Sequence, residues 1–448
     1  MRMKVQFDAF VAAIECNSTS LMRISDFGFA FVTGTPRVFK SIDTPYAPLM
    51  ATGSKVPISS DHPAPAQLVD AKKAAEMLGI SIASLYSYVS RGKLGRTEDP
   101  DTGTSLFGVQ EIQAFISRRD RGKRPDRVAI ASLDFGLPVL ESGISTVEDG
   151  RLLFHGHDAA ELASQVDLET VAALLWGLPT ARLETGVLAE IPSGPFRTGF
   201  CGWLVQEAAA HPSRAFWPNS DVLHHASHIF QTAAAIGTGS PDGRVAVHER
   251  LAARYGVGQG DVDLIKAALV LHADHELNTS TFAVRCVAST CANPYAAVLA
   301  GVCATMGSRH ADFRAALDII ERYAVTGHYQ PPQAGAVMTG FGHQLYPQGD
   351  PRARTLLDGL GSRPHLAARM AVVDDLIAQV VKETGKLPKN DFAMAAMVHV
   401  LALPVELAEI IFTTSRLVGW MAHVLEQYAL PALIRPRARY RLVVEHGD

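Results

Sequence analysis

The chain has 448 residues and a formal net charge of −4, with 48% hydrophobic and 19% charged residues. That balance suits a folded globular protein of two or three domains and excludes one whose whole surface is built to bind nucleic acid. Five cysteines (Cys16, Cys201, Cys286, Cys291, Cys303) without CxxC spacing exclude a disulfide framework and a zinc ribbon and fit a cytoplasmic location.

No uncharged apolar run reaches the about 18 residues of a membrane span. Residues 1–66 carry loop compositions such as DTPYAP and SSDHPAPAQ and no sustained period. They read as a disordered extension, or as sequence upstream of a true start at Met50. The opening MRMKVQFDAFVAAIEC is interrupted by Asp8 and Glu15, which argues against a secretory signal.

Residues 67–125 form the next unit. DAKKAAEMLGISIASLYSYVSRGKL predicts a helix over Lys72–Leu78, a turn at Gly79 and a helix over Ile82–Arg91. Two short helices joined at a glycine turn make a helix-turn-helix. The segment is similar to the MerR/excisionase type, in which LFGVQEIQAFISRR would supply a wing and a following helix. Residues 71–125 hold ten Lys or Arg against six Asp or Glu, a local charge of +4 in an acidic chain. Such an excess suits DNA phosphates. The alternative is a packing or oligomerisation module, since a fold alone does not fix function. RRDRGKRPDR (118–127) reads as a charged linker. From Val128 onward apolar residues recur at three- and four-residue spacing nearly throughout, with no βαβ alternation and no glycine-rich phosphate loop. A mainly α architecture follows.

Several polar clusters interrupt this pattern. In LHADHELNTSTF (271–282), His272 and His275 would share a helical face if the helix continues. A metal reading and a satisfied histidine pair both fit, although no HExxH accompanies them. His310, in TMGSRHADF, follows the small-residue helix AAVLAGVCATMG and alone reads as a cap or a solvated side chain. TGFGHQLYPQGDPRAR (339–354) sets Gly340 and Gly342, which free the backbone, beside His343 and Arg352. In LPKNDF, Asp391 reads as a helix N-cap. Arg416 lies in an apolar helix and needs a carboxylate partner, from protein or substrate. The tail LIRPRARY, with Arg435, Arg437 and Arg439, reads as solvated surface.

The order of these clusters resembles the citrate synthase family. The series runs HADHELNTSTFAVR, a small-residue helix ending in His, GFGH…DPRA, NDF, then SRLVGWMAHVLEQ…RPR, preceded by LESGISTVEDGRLLFHGHDAAELA. The resemblance spans about 128–448. It implies a large helical subdomain (about 128–311 and 403–448), a small one (about 312–402) and a homodimer. It also implies condensation of acetyl-CoA with oxaloacetate, needing no metal or other cofactor.

By the same resemblance, Asp391 is the base that takes the acetyl proton, His310 donates to the enolate oxygen, and His343 polarises the ketone of oxaloacetate. His275, Arg352, Arg416 and Arg435 would bind oxaloacetate, Arg435 from across the dimer, and Ser280 would support His310. Donors aimed at developing charge supply much of the catalysis in such sites. The chain departs from the family after His310, where Ala311, Asp312, Phe313 and Arg314 replace Gly-Gly-Ala-Asn. It departs again at Gln344 and Pro347, where basic residues near CoA are usual. Two alternatives follow: a 2-methylcitrate synthase using propionyl-CoA, or a ligand-sensing DNA-binding regulator whose helical domain does not turn over.

Overall fold

The computed structural model describes residues 68–91, 93–99, 103–108, 112, 115, 140–213, 217–331, 338–430 and 432–438. The expected extension over 1–66, the linker over 118–127 and most of the segment after the wing lie outside them.

The first elements are β1 (Leu68–Asp70), α1 (Ala71–Leu78), α2 (Ile82–Ser90), β2 (Thr97–Glu98) and β3 (Ser105–Gly108). Asp70 caps α1 by accepting from the Lys73 amide at 2.7 Å, and Ser81 caps α2 through the Ser84 amide at 3.2 Å. The second helix ends at Ser90, one residue short of the expected Arg91, which caps it. The strands form an antiparallel sheet in the order β1-β3-β2. Ala74, Leu78, Leu85, Leu94, Phe107 and Ile112 belong to a small apolar core of its own.

The rest is helical apart from one small sheet. β4 (Ser145–Glu148), β5 (Arg151–Phe154) and β6 (His157–Asp158) form it, a short interruption of the nearly continuous helical pattern expected after Val128. Then come α3 (Ala159–Gln165), α4 (Leu168–Trp176), α5 (Phe196–Ala210), α6 (Asn219–Thr238), α7 (Val247–Tyr255) and α8 (Val262–Leu271). After them follow α9 (Thr279–Ala288), α10 (Pro294–Thr305), α11 (Phe313–Thr326), α12 (Pro351–Gly361), α13 (Ala367–Thr384), α14 (Asn390–Val400) and α15 (Glu406–Ala429).

α15 is the axis of the larger group. It is buried on every side over 410–424, as a helix in the middle of a large core must be. α4, α6, α8, α9 and α10 pack against it. α11, α12 and α13 gather instead around α14 and one another. The chain passes from α14 to α15 through residues 401–405, where Ala402 takes a left-handed φ of 55°.

Candidate active site

The loop carrying HADHE is not helical. α8 stops at Leu271 and His272 caps it, so His272 and His275 do not share a helical face as the spacing suggested. His272 Nδ1 donates to the Ala268 carbonyl at 2.5 Å. The loop is held from two sides. On one, α15 supplies the Ser415 hydroxyl to the Leu269 carbonyl, Arg416 Nε to the His272 carbonyl at 2.9 Å, and the Gly419 amide to the Ala273 carbonyl at 3.0 Å. On the other, the Ser145 hydroxyl of β4 donates to Asp274 Oδ2 at 2.5 Å and accepts from the Glu276 amide at 2.9 Å. Pinned this way, His275 places its Nε2 2.9 Å from the Tyr346 hydroxyl.

The GFGH segment and the NDF segment form one piece. Phe341 bridges Pro388, the Gly342 amide donates to the Leu387 carbonyl at 2.9 Å, and the Lys389 amide donates to the Gly340 carbonyl at 2.9 Å. Gly340 and Gly342 both take left-handed φ, 79° and 73°. A side chain at 340 would start 3.1 Å from Phe392 Cβ, so the close approach needs glycine. His343 follows directly, its ring centroid 5.3 Å from that of His275. Its Nδ1 accepts the Leu345 amide at 3.2 Å, which puts the proton of the neutral ring on Nε2.

Asp391 is not the helix N-cap that its position suggested. Lys389 is the cap residue of α14 and caps nothing with its side chain, which leaves the Asp391 carboxylate in the first helical turn, 3.1 Å from Lys389 Nζ. The neighbouring Asn390 amide donates to Asp350 Oδ2 at 3.1 Å. Asp350 in turn caps α12 and grips Arg352 with both carboxylate oxygens, at 2.9 and 2.7 Å.

His310 lies past the end of α10, in a loop where Ala311 holds a left-handed φ of 56°. Its Nε2 is 2.9 Å from the Ser280 hydroxyl, itself 2.7 Å from Asn278 Oδ1. Its ring stands edge-on to Phe412 at 5.9 Å, and the Arg416 guanidinium lies over that same ring at 5.1 Å. A cavity of about 350 Å³ opens here, lined by His310, Met306, Phe313 and Phe412, with Arg197 and Arg314 at its rim. Both rim cations are engaged, Arg197 by Glu409 and Arg314 by Glu406 at 3.7 Å.

Burial and neighbouring arginines set the charge states. Burial, with Arg416 nearby, brings His310 down to about 4, against the upward pull of Asp391. Burial and Arg352 bring His343 down to about 4, again opposed by Asp350 and Asp391. His275 lies well below its ordinary value for the same reasons. All three are therefore neutral near pH 7, and the Asp391 carboxylate acts on His310, on His343 and on Arg352. Burial lowers Arg416 to about 10 although Asp274 opposes it. Its Nη1 is buried with no hydrogen-bond partner, which is expensive unless a ligand supplies one.

Seven of the eight residues singled out thus belong to one connected arrangement: His275, Ser280, His310, His343, Arg352, Asp391 and Arg416. Arg435 does not join it. It is exposed after α15, and among the described residues no hydrogen bond or ion pair ties it to the cluster. Sequence reasoning passed over Asp350, Tyr346, Asn278 and Phe412. Asp350 had a signal, because Asp-Pro-Arg puts a cap and a cation two residues apart; Tyr346 and Phe412 had none. Among the described residues no group of three or more His, Cys, Asp or Glu is placed to hold a metal ion.

The sequence pattern of the citrate synthase C-terminal domain matches residues 213–437. The citrate synthase of Haloferax volcanii is 30% identical over 363 residues, 68% of this chain and 94% of that protein. This chain belongs to the citrate synthase family. It is an enzyme of the citrate synthase type, an acyltransferase of the condensing class. Citrate synthase 2 of Bacillus subtilis is 34% identical over 189 residues, which span 51% of that protein and 40% of this one. The 2-methylcitrate synthase 2 of Corynebacterium glutamicum is 26% identical over 348 residues, 65% of this chain and 89% of that protein. The fold matches the citrate synthase of Thermotoga maritima, with a TM-score of 0.56 at 22% identity over 70% of this chain and 96% of that one. It also matches the Thermoplasma acidophilum citrate synthase in complex with carboxymethyl coenzyme A and oxaloacetate, with a TM-score of 0.54 at 19% identity and the same coverage. Among the described residues of this citrate synthase relative, no helix is long and apolar enough to cross a membrane.

Proposed function

We propose that the protein condenses a short acyl-CoA, acetyl-CoA first, with oxaloacetate and water. Asp391 takes a proton from the acyl α-carbon while His310 donates to the forming enolate oxygen. The enol carbon attacks the ketone of oxaloacetate, whose oxygen receives a hydrogen bond from His343 Nε2. Water then cleaves the thioester and releases CoA. The observation that carries this reading is the gathering of His275 against His343 and of His310 and Arg416 on the Phe412 ring, with Arg416 Nη1 buried and unpartnered.

Arg416 offers the unpartnered Nη1 to a substrate carboxylate, with His275 beside it. Arg352 is already gripped by Asp350, so it contributes field and shape more than a free fork. Arg435 completes the site from a second copy of the chain in a homodimer, which fits its exposed position. The large and small subdomains correspond to the helices around α15 and those around α14. Met306, Phe313 and Phe412 beside His310, within a largely polar lining, make propionyl-CoA the second acyl donor to test.

The unit before residue 125 reads as a winged helix-turn-helix, supported by its two capped helices, the β2–β3 pair and the exposed Arg91, Lys93 and Arg96. Duplex DNA is its proposed partner.

The deciding experiment follows CoA thiol release from acetyl-CoA or propionyl-CoA with oxaloacetate. The wild type should turn over and Asp391→Ala should lose about 10²–10⁴-fold in kcat, the range for a removed general base. No release with either donor at high enzyme concentration would end this reading.

A further inference from the structure

We propose that Asn278 is a positioning residue that sets which ring nitrogen of His310 carries the proton, holding the resting enzyme one proton shift away from its donating form. The inference rests on the reading of His310 as donor to the thioester oxygen. Its starting point is a single hydroxyl proton placed between two acceptors.

Ser280 Oγ lies 2.7 Å from Asn278 Oδ1 and 2.9 Å from His310 Nε2. The Asn278 amide has one orientation, because Oδ1 also accepts the Thr281 amide at 3.0 Å as the cap of α9. Oδ1 accepts only, so the Ser280 hydroxyl donates to it. Ser280 then has only lone pairs left for His310, and the proton between them belongs to Nε2. The chain runs His310 Nε2–H to Ser280 Oγ–H to Asn278 Oδ1, each bond polarising the next. Ser280 is fully buried.

A neutral imidazole carries one proton. With that proton on Nε2, Nδ1 is bare and cannot donate to an enolate oxygen. The donating form needs the reverse arrangement. His310 gives the Nε2 proton to water and takes one from water at Nδ1, so protons balance and nothing is oxidised. The Ser280 hydroxyl turns from Asn278 to donate to Nε2. Two neutral hydrogen bonds give way to one, at about 1 kcal/mol each, so the resting form is favoured by only about 1 kcal/mol. His310 is only half-buried and can exchange protons with solvent. A thioester oxygen arriving at Nδ1 tips the balance. Asn278 touches neither substrate nor reacting atom and acts only through Ser280.

The test reads the tautomer directly, by two-bond ¹⁵N–¹H correlation on full-length protein labelled in histidine. Without ligand, the wild type should show His310 protonated at Nε2. Asn278→Gly removes the acceptor yet costs the helix cap only a few tenths of a kcal/mol. It should move the His310 proton to Nδ1 and keep or raise kcat. Asn278→Asp keeps the cap and strengthens the acceptor. It should hold the proton on Nε2 and lower kcat at least ~10-fold, a fraction of what a lost oxyanion donor costs, with the KM for oxaloacetate little changed. A wild-type ring protonated at Nδ1, or a tautomer indifferent to both substitutions, overturns the proposal. A tautomer that responds as stated, in protein that never releases CoA, upholds the role of Asn278 and instead sinks the reading of the site.

Discussion

Three imidazoles with depressed affinity for protons give the protein a particular response to acid. Unfolded, a histidine takes up its proton near pH 6.5. Folded, His310 and His343 do so only at about 4 and His272 at about 3. Between those values the unfolded chain holds more protons, so stability is intact above about 6.5 and falls as the pH drops toward 4. Thermal unfolding across that window should show a steadily falling Tm, and the acid limb of turnover should lie well below 6.5. A Tm flat from 6.5 to 4 would contradict the burial of these rings. Ala311 makes a second case. It holds a left-handed φ of 56°, a conformation costing an L-residue about 1–2 kcal/mol. Ala311→Gly should relieve that strain, less the extra entropy of an unfolded glycine, for a gain of up to about 1 kcal/mol in urea unfolding. Little of this was legible beforehand. The sequence marks His310 and the missing glycine, but only the loop's path shows that alanine adopts glycine's shape. Asp391 shows how a local rule misleads: Asp before an apolar run is a good cap, yet the pairing of 387–389 with 340–342 moves the helix start back to Asn390 and frees the carboxylate.

Among the elements, α15 organises the site, and its length and apolar character were readable from AEIIFTTSRLVGWMAHVLEQ. Its fit against the HADHE loop was not. Ser415, Arg416 and Gly419 each reach a carbonyl of residues 269–273, which a helix continuing through His272 would have kept for itself. A Cβ at Gly419 would overlap the Ala273 carbonyl and the Asp274 carboxylate. Gly419→Ala should therefore push the loop off α15 and destabilise by about 1–3 kcal/mol, as overpacked cores do. It should also raise the KM for oxaloacetate, because Arg416 and His275 depend on the same seating. Unchanged denaturation and unchanged KM would show that the helix yields at no cost. Deeper along α15, His423 joins Asp274 at 3.2 Å, and Arg285 spans Gln427 and Glu426. This buried polar chain has no sequence signature, since each member alone looks like a misplaced surface residue.

For the whole molecule, the ordered motifs pointed to the family and its helical class, while composition alone reached no further than a folded globular protein. The β4–β6 sheet escaped the periodicity because its strands are four residues or shorter and border a helix directly. Removing the chain before Val128 should leave condensation intact, because every residue placed in the site lies beyond it. A folded but inactive truncation would assign the front unit a part in turnover. The two apolar cores share no residue, and the smaller one draws on few side chains. Units of that size are marginal on their own. Scanning calorimetry should accordingly record two endotherms in place of one, a shallow early one and a large late one. If DNA is the front unit's ligand, an oligonucleotide should shift the first and leave the second where it was, whereas oxaloacetate should do the opposite.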